Sequence, residues 1–260
     1  MIILESLDYY AWKIKINENL KSTITKKNMN IYELAFASYA YSRLEDFDKA
    51  YKKFTNSTNN IDMDLQPHRQ ALIKWLNDWG CRNFYKEYHN LASKELYDWY
   101  RQYHSYVPQK NLNIWELTAD NLDLIEKSYN SLVKKIASYA KRKNGSTTPN
   151  SFGHTPSSKI LFALRPKALI PWDGAMRKEF KQKYRIFTYK EFLIKVIDEI
   201  KELEISCRKN GFNLEEVPFK LNKNNITIPK LIDEYHWITI TKRCKPPDNK
   251  TIGTWIKWNS

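Results

Sequence analysis

The residues best placed to do chemistry lie between Ser151 and Phe180, in the run S-F-G-H-T-P-S-S-K-I-L-F-A-L-R-P-K-A-L-I-P-W-D-G-A-M-R-K-E-F. Phe152, Gly153 and His154 form a glycine-bearing turn that leads into a short apolar helix from about Ser157 to Leu164. Pro166 and Pro171 then impose an irregular segment, because a proline ring fixes φ and removes an N–H. That segment ends at Trp172 and Asp173, where a second helix carrying Arg177 and Lys178 begins. The Asp173 carboxylate therefore sits where extended chain meets the positive end of a helix dipole. Taken alone, the same placement describes an N-cap that stabilises the helix by about 1 kcal/mol. Both readings stand on these residues.

The arrangement resembles the helix-hairpin-helix DNA glycosylases, the HhH-GPD superfamily, over roughly residues 115–185. The hairpin turn of that family reads approximately L-P-G-[VI]-G-x-[KR]-[TV]-A, and its loop ends approximately P-[VI]-D-T-H-[VI]-x-R, with the aspartate as catalytic carboxylate. Here P-W-D-G-A-M-R-K puts Pro171 on the proline, Asp173 on the aspartate, and Arg177 or Lys178 near the trailing arginine. Of the hairpin glycine pair only Gly153 is kept, with Pro156 and Ser157 following.

The resemblance implies an all-α fold with two helical subdomains flanking a cleft, and cleavage of the bond between a base and its deoxyribose. The departing base leaves an oxocarbenium-like sugar, which a carboxylate stabilises while it orients a water, and Asp173 is expected in both roles. The base must first be extruded from the stack, which requires a pocket and a wedge. The turns Trp79–Phe84 and Tyr106–Lys110 are the candidate wedge loops. Backbone N–H groups at the turn of Gly153, His154 and Thr155 are expected to grip a phosphate. Thr155, Ser157 and Ser158 add hydroxyl donors, and Arg142, Arg177 and Lys178 add charge. Some family members attack with a lysine amine, but that slot falls here at about Thr155, which implies a monofunctional enzyme. Lys159, one helical turn on and on the same face, can reach the same cavity, contact a phosphate or remain solvated. The expected partner is double-stranded DNA, with no cofactor, no metal and a monomeric protein.

Two substrate classes fit that chemistry. The degraded hairpin and the Lys-, Asn- and Tyr-rich composition look similar to divergent glycosylases of phage defence, which excise glucosylated hydroxymethylcytosine; repair of alkylated, oxidised or deaminated bases is the other class. A helix-hairpin-helix protein that binds DNA without catalysis, and a basic all-α RNA-binding or toxin-like protein, remain open alternatives.

Composition agrees with an anionic partner. Lys and Arg outnumber Asp and Glu by 43 to 29, a net charge of +14, which favours nucleic acid over the less expected anionic membrane. No apolar run reaches membrane-spanning length. The N-terminal M-I-I-L-E-S-L-D carries acid where a secretion signal needs base, and Cys81, Cys207 and Cys244 are scattered without motif spacing; a cytoplasmic location is expected. These cysteines also exclude the four-cysteine iron–sulfur loop of some family members. The chain of 260 residues, 42% hydrophobic, is read as a single module over 1–260 with 115–185 as its core.

The elements that must position Asp173 are read from apolar periodicity. A helix is expected from Asn30, with Glu33 completing a capping box, to before Asn56. Pro67 opens a second helix, which Gly80 stops. A third runs from about Leu91 through Tyr97, Trp99, Tyr100, Tyr103 and Tyr106 to Pro108, its rings serving as core or as base-pocket walls. Thr118 caps a long helix through Leu132, Ile136 and Tyr139, followed by the basic run K-R-K-N-G-S-T-T-P-N, either solvated or laid along phosphates. Thr188 and Glu191 open a helix to Gly211. Asn213 to Thr227 is loop-like, Pro229 starts the last helix, and Trp255 and Trp258 pack the tail back or contact DNA. Strands are not expected.

Overall fold

The structure, a computed structural model, describes residues 29–44, 47–142 and 145–258. The N-terminal run read for a secretion signal, and Lys143 and Asn144 of the basic run, lie outside the described residues. The chain is mostly helical, with α1 (Ile31–Leu44), α2 (Phe47–Thr58), α3 (Gln66–Asp78), α4 (His89–Tyr103), α5 (Ala119–Lys134), β1 (Ile136–Lys141), β2 (Thr147–Ser151), α6 (His154–Leu164), α7 (Gly174–Tyr184), α8 (Tyr189–Lys209), α9 (Val217–Lys220), α10 (Ile228–His236) and α11 (Asn249–Trp255) in order. No helix among the described residues is long and apolar enough to cross a membrane. Contacts gather residues 45–194 into one compact unit, and those up to Leu44 with those from Lys195 onward into another. The expected core, 115–185, falls within the first of these.

In the 45–194 unit, Pro67 lies in the first turn of α3 and Gly80, at φ 80, follows its end. Leu72, Ile73, Trp75 and Leu76 are the buried face of α3. On α4, Trp99 is fully buried and its Nε1–H donates to Ser128 O of α5 at 3.0 Å, satisfying the one polar atom of a core indole. The rings of the α4 ladder meet one another, Trp99 stacked on Tyr103 at 6.5 Å and Tyr103 edge-on to Tyr106 at 5.4 Å between centroids. Thr118 caps α5 as expected, accepting from Asn121 N at 3.2 Å.

Two expectations are corrected here. α5 ends at Lys134, and Ile136 and Tyr139 belong to β1, which pairs antiparallel with β2 in register Ile136↔Ser151, Tyr139↔Pro149 and Lys141↔Thr147. The sequence reason is the Asn144-Gly145 pair, a hairpin signal that outweighs the continuing apolar spacing. Gly145 has φ 81, and Arg142 N donates to Ser146 O at 2.8 Å to close the turn. The all-α expectation thus becomes a mostly helical fold with one two-stranded sheet, and a strand pair stands between α5 and α6. The helix expected from Asn30 covers α1 and α2, with residues 45 and 46 between them outside the described residues; its N-cap holds, Asn30 Oδ1 accepting from Glu33 N at 3.1 Å.

The second unit is built on α1 and α10. Lys230 is fully buried on α10, with Nζ 3.2 Å from Glu234 and 3.4 Å from Asp233 and 4.1 Å over the Tyr41 ring. Ser38 of α1 donates to Glu234 Oε2 at 2.9 Å. A buried charge is tolerable only when paired and hydrogen-bonded in this way. The tail packs back: Trp258 meets Phe212 at 5.4 Å and Tyr32 at 5.9 Å. The stretch expected as loop holds α9, and α11, not expected, is capped by Asp248, which accepts from Thr251 N at 3.0 Å.

Gly153 enters α6 at φ 73, ψ 177, a region of backbone space open essentially to glycine alone. A Cβ there would meet only Asn83 Nδ2, at 3.9 Å, so the constraint is conformational rather than steric. Gly153→Ala is expected to destabilise the protein by about 1–3 kcal/mol, read as a lower urea midpoint at unchanged slope; an unchanged midpoint would contradict the geometry.

Candidate active site around Asp173

Asp173 is the N-cap of α7: its backbone is extended, and Oδ1 accepts from Met176 N at 2.8 Å. The side chain is half-buried. What fixes its position is the residue before it. Trp172 is buried, stacked on Phe192 at 5.1 Å and 9°, and its N–H donates to the Ser158 hydroxyl of α6 at 2.8 Å. That hydroxyl in turn donates to Thr155 O at 2.9 Å. Arg177 closes a second link, donating to Trp172 O at 3.0 Å and to Thr155 Oγ1 at 3.0 Å. The proline-fixed segment is held as well by the Tyr189 phenol, which donates to Ile170 O at 2.7 Å. Asp173 is therefore placed by α6, α7 and the start of α8 together.

Lys159 lies on the same helix as Ser158, half-buried, with Nζ donating to Trp79 O at 2.6 Å and standing 4.9 Å over the Trp79 ring. Next to it is Cys81. Burial pushes the Cys81 thiol up, the Lys159 ammonium draws it back down, and the Asp173 carboxylate pushes it up again. The Cys81 thiol thus lies within electrostatic reach of both the amine and the carboxylate.

His154 opens α6 at the edge of this group. Its Nδ1 is 2.9 Å from the Tyr129 hydroxyl. Burial raises the Tyr129 phenol well above its ordinary value, so the phenol keeps its proton and donates. Partial burial and then the Arg177 charge lower the imidazole, and a neutral ring that accepts at Nδ1 carries its proton on Nε2.

Several sequence expectations change place. Ser157 and Ser158 are fully buried; Ser157 Oγ donates to Gly153 O at 2.7 Å and Ser158 holds Trp172, so neither hydroxyl faces a phosphate. Gly153 N–H donates to Val133 O at 3.1 Å, which removes it from the expected phosphate grip and leaves the first-turn amides of His154 and Thr155. Arg177 and Thr155 bond each other. Arg142 is exposed on the β hairpin, its Nε donating to Thr148 Oγ1 at 2.8 Å, and Lys178 is exposed on α7. In the first wedge loop, Trp79 is 5% exposed and packed on Trp75 at 4.6 Å and Phe162 at 6.2 Å, which makes it core. Cys81 and Tyr129 join the site through the fold alone: Tyr129 sits in an apolar stripe that signals packing, and nothing local marks Cys81.

Comparison with protein-family models, with curated proteins and with solved structures gave no match.

Removing the Ser158 hydroxyl leaves the buried Trp172 N–H without its acceptor. Ser158→Ala is expected to destabilise the protein by about 1–3 kcal/mol, more than an alanine in a helix otherwise would. Chemical unfolding checks this, and a variant as stable as the parent would show that the segment before Asp173 is held by other contacts.

Proposed function

We propose that this protein is a DNA N-glycosylase in which Asp173 is the catalytic carboxylate. The observation that carries the reading is the half-buried Asp173 side chain, held at the N-terminus of α7 by its cap bond and by the bonds of Ser158 and Arg177 to Trp172. In the reaction, the bond from the sugar C1′ to the base nitrogen breaks and its electron pair leaves with the base. The cation left on the sugar is stabilised by the Asp173 carboxylate, and water attacks C1′ with its hydroxyl while its proton ends on the departed base, leaving an abasic site. The first-turn amides of His154 and Thr155 supply donors for a substrate phosphate, and the net charge of +14 holds the duplex through its backbone.

Water rather than a lysine is the nucleophile in this reading. Thr155, in the slot where lysine-using relatives carry their amine, accepts from Arg177, and the Lys159 amine is bonded to the Trp79 carbonyl. The inferred substrate is a hypermodified base, glucosylated hydroxymethylcytosine of phage DNA, and the reading includes a monomeric, cytoplasmic protein acting in antiviral defence. Excision of alkylated, oxidised or deaminated bases is the same chemistry on a different base.

Asp173→Asn separates catalyst from cap, because asparagine caps a helix as well as aspartate. The variant is expected to keep its thermal stability and its DNA affinity while abasic-site formation falls by roughly a hundredfold or more. A variant that melts early and still releases base would make Asp173 a cap alone. In the wild type, borohydride is expected to trap no protein–DNA adduct, with strand breaks appearing only after alkali. An adduct that vanishes in Lys159→Ala would overturn the water mechanism.

A further inference from the structure

The outer face and C-terminal end of α7 assemble a second feature, away from the cap at Asp173. Lys178, Lys181, Gln182 and Arg185 follow one another at helical spacing, so they share a face, and with Phe187 they line a pocket of about 560 Å³. All five are exposed, and none of the three cations has a carboxylate partner among the described residues. Phe187 is 56% exposed, and its place is set from both sides. Arg185 ends the helix in the left-handed region at φ 59, Ile186 turns inward with its N–H 3.3 Å from Phe180 O, and the Phe187 and Thr188 N–H groups donate to Glu191 Oε2 at 2.8 and 3.0 Å. The ring is held in solvent by a fixed turn while its neighbours Ile186 and Tyr189 are buried. Lys181 Nζ stands 5.4 Å from its centroid.

Like charges gathered on one face repel until an anion joins them, and an exposed ring held rigidly beside them offers a π-face at little entropic cost. We propose that this face is a subsite for a single nucleic-acid strand, with consecutive phosphates on Lys178, Lys181 and Arg185 and one unpaired base stacked on Phe187. The cationic stripe from Lys178 to Arg185 is about 10 Å long at helical rise, which suits a strand rather than a protein interface. A membrane surface would require an apolar face to insert, and Phe187 is the single large apolar side chain lining the pocket. The inference rests on the reading of the partner as DNA and extends it: the strand beside the reacting nucleotide is bound unpaired, along the outer face of the helix that Asp173 caps.

Binding of a fluorescein-labelled oligothymidylate, followed by fluorescence anisotropy, tests the subsite without any base release. Phe187→Ala is expected to weaken binding by roughly fivefold to a hundredfold, Phe187→Trp to restore it, and Lys181→Gln to lower the log–log salt slope by about 0.7. The subsite is overturned if Phe187→Ala binds the strand as the wild type does, or if the wild type binds phosphatidylserine vesicles and not the oligonucleotide. Circular dichroism confirms the fold of each variant. Base release is assayed separately, so a protein that binds the strand through Phe187 and releases no base would sustain the subsite while refuting the glycosylase reading.

Discussion

One buried hydrogen bond sets the geometry on which the candidate site depends, that from the Trp172 N–H to the Ser158 hydroxyl at 2.8 Å. The segment from Pro166 to Trp172 has no helix or sheet to satisfy its backbone, and a buried amide left unpaired is costly. Ser158 meets that need from the interior of α6 while its own O–H donates to Thr155 O. Arg177 meets the matching carbonyl from α7. Trp172, stacked on Phe192 of α8, then acts as a fixed hinge pin, and the residue after it has one place to go. Asp173 is positioned by its neighbours' backbone requirements, and its own cap bond to Met176 N completes the arrangement.

The same logic explains what was legible in the sequence. Helix starts announced by Pro67, Thr118, Asp173 and Thr188 are found where local chemistry places them, since a cap is a short-range interaction within a few residues. The β hairpin was not, because Ile136 and Tyr139 continue the apolar spacing of α5 and the deciding signal is the Asn144-Gly145 pair beyond them. At the candidate site, the helix cap at Asp173 was readable from type and position, whereas the bond of Lys159 to the Trp79 carbonyl was not. The inward turn of Ser157 and Ser158 was not, because hydroxyls look alike in a sequence whether they meet water, phosphate or a buried amide. Cys81 reaches the site only through the fold.

Charge and aromatic content divide along physical lines in the structure. Rings on buried faces, such as Trp75, Trp99 and Trp172, form the interior, and the buried ion pairs of Lys230 complete the second unit. The cations that remain exposed on α7 line a pocket with Phe187, a ring held in solvent just beyond the helix. A helix whose N-terminus presents a carboxylate and whose outer face presents cations can hold a polyanion near a developing positive charge, which is what cleavage of a base from DNA requires.

The most direct measurement is mass spectrometry of the small molecules released when the protein is incubated with DNA carrying cytosine, hydroxymethylcytosine or its glucosylated form, and with duplexes carrying uracil, alkylated or oxidised bases. The account predicts a free base, the glucosylated hydroxymethylcytosine first among them, in amounts equal to the abasic sites formed. Release of nucleosides or nucleotides, or intact DNA with every one of these substrates, would contradict it.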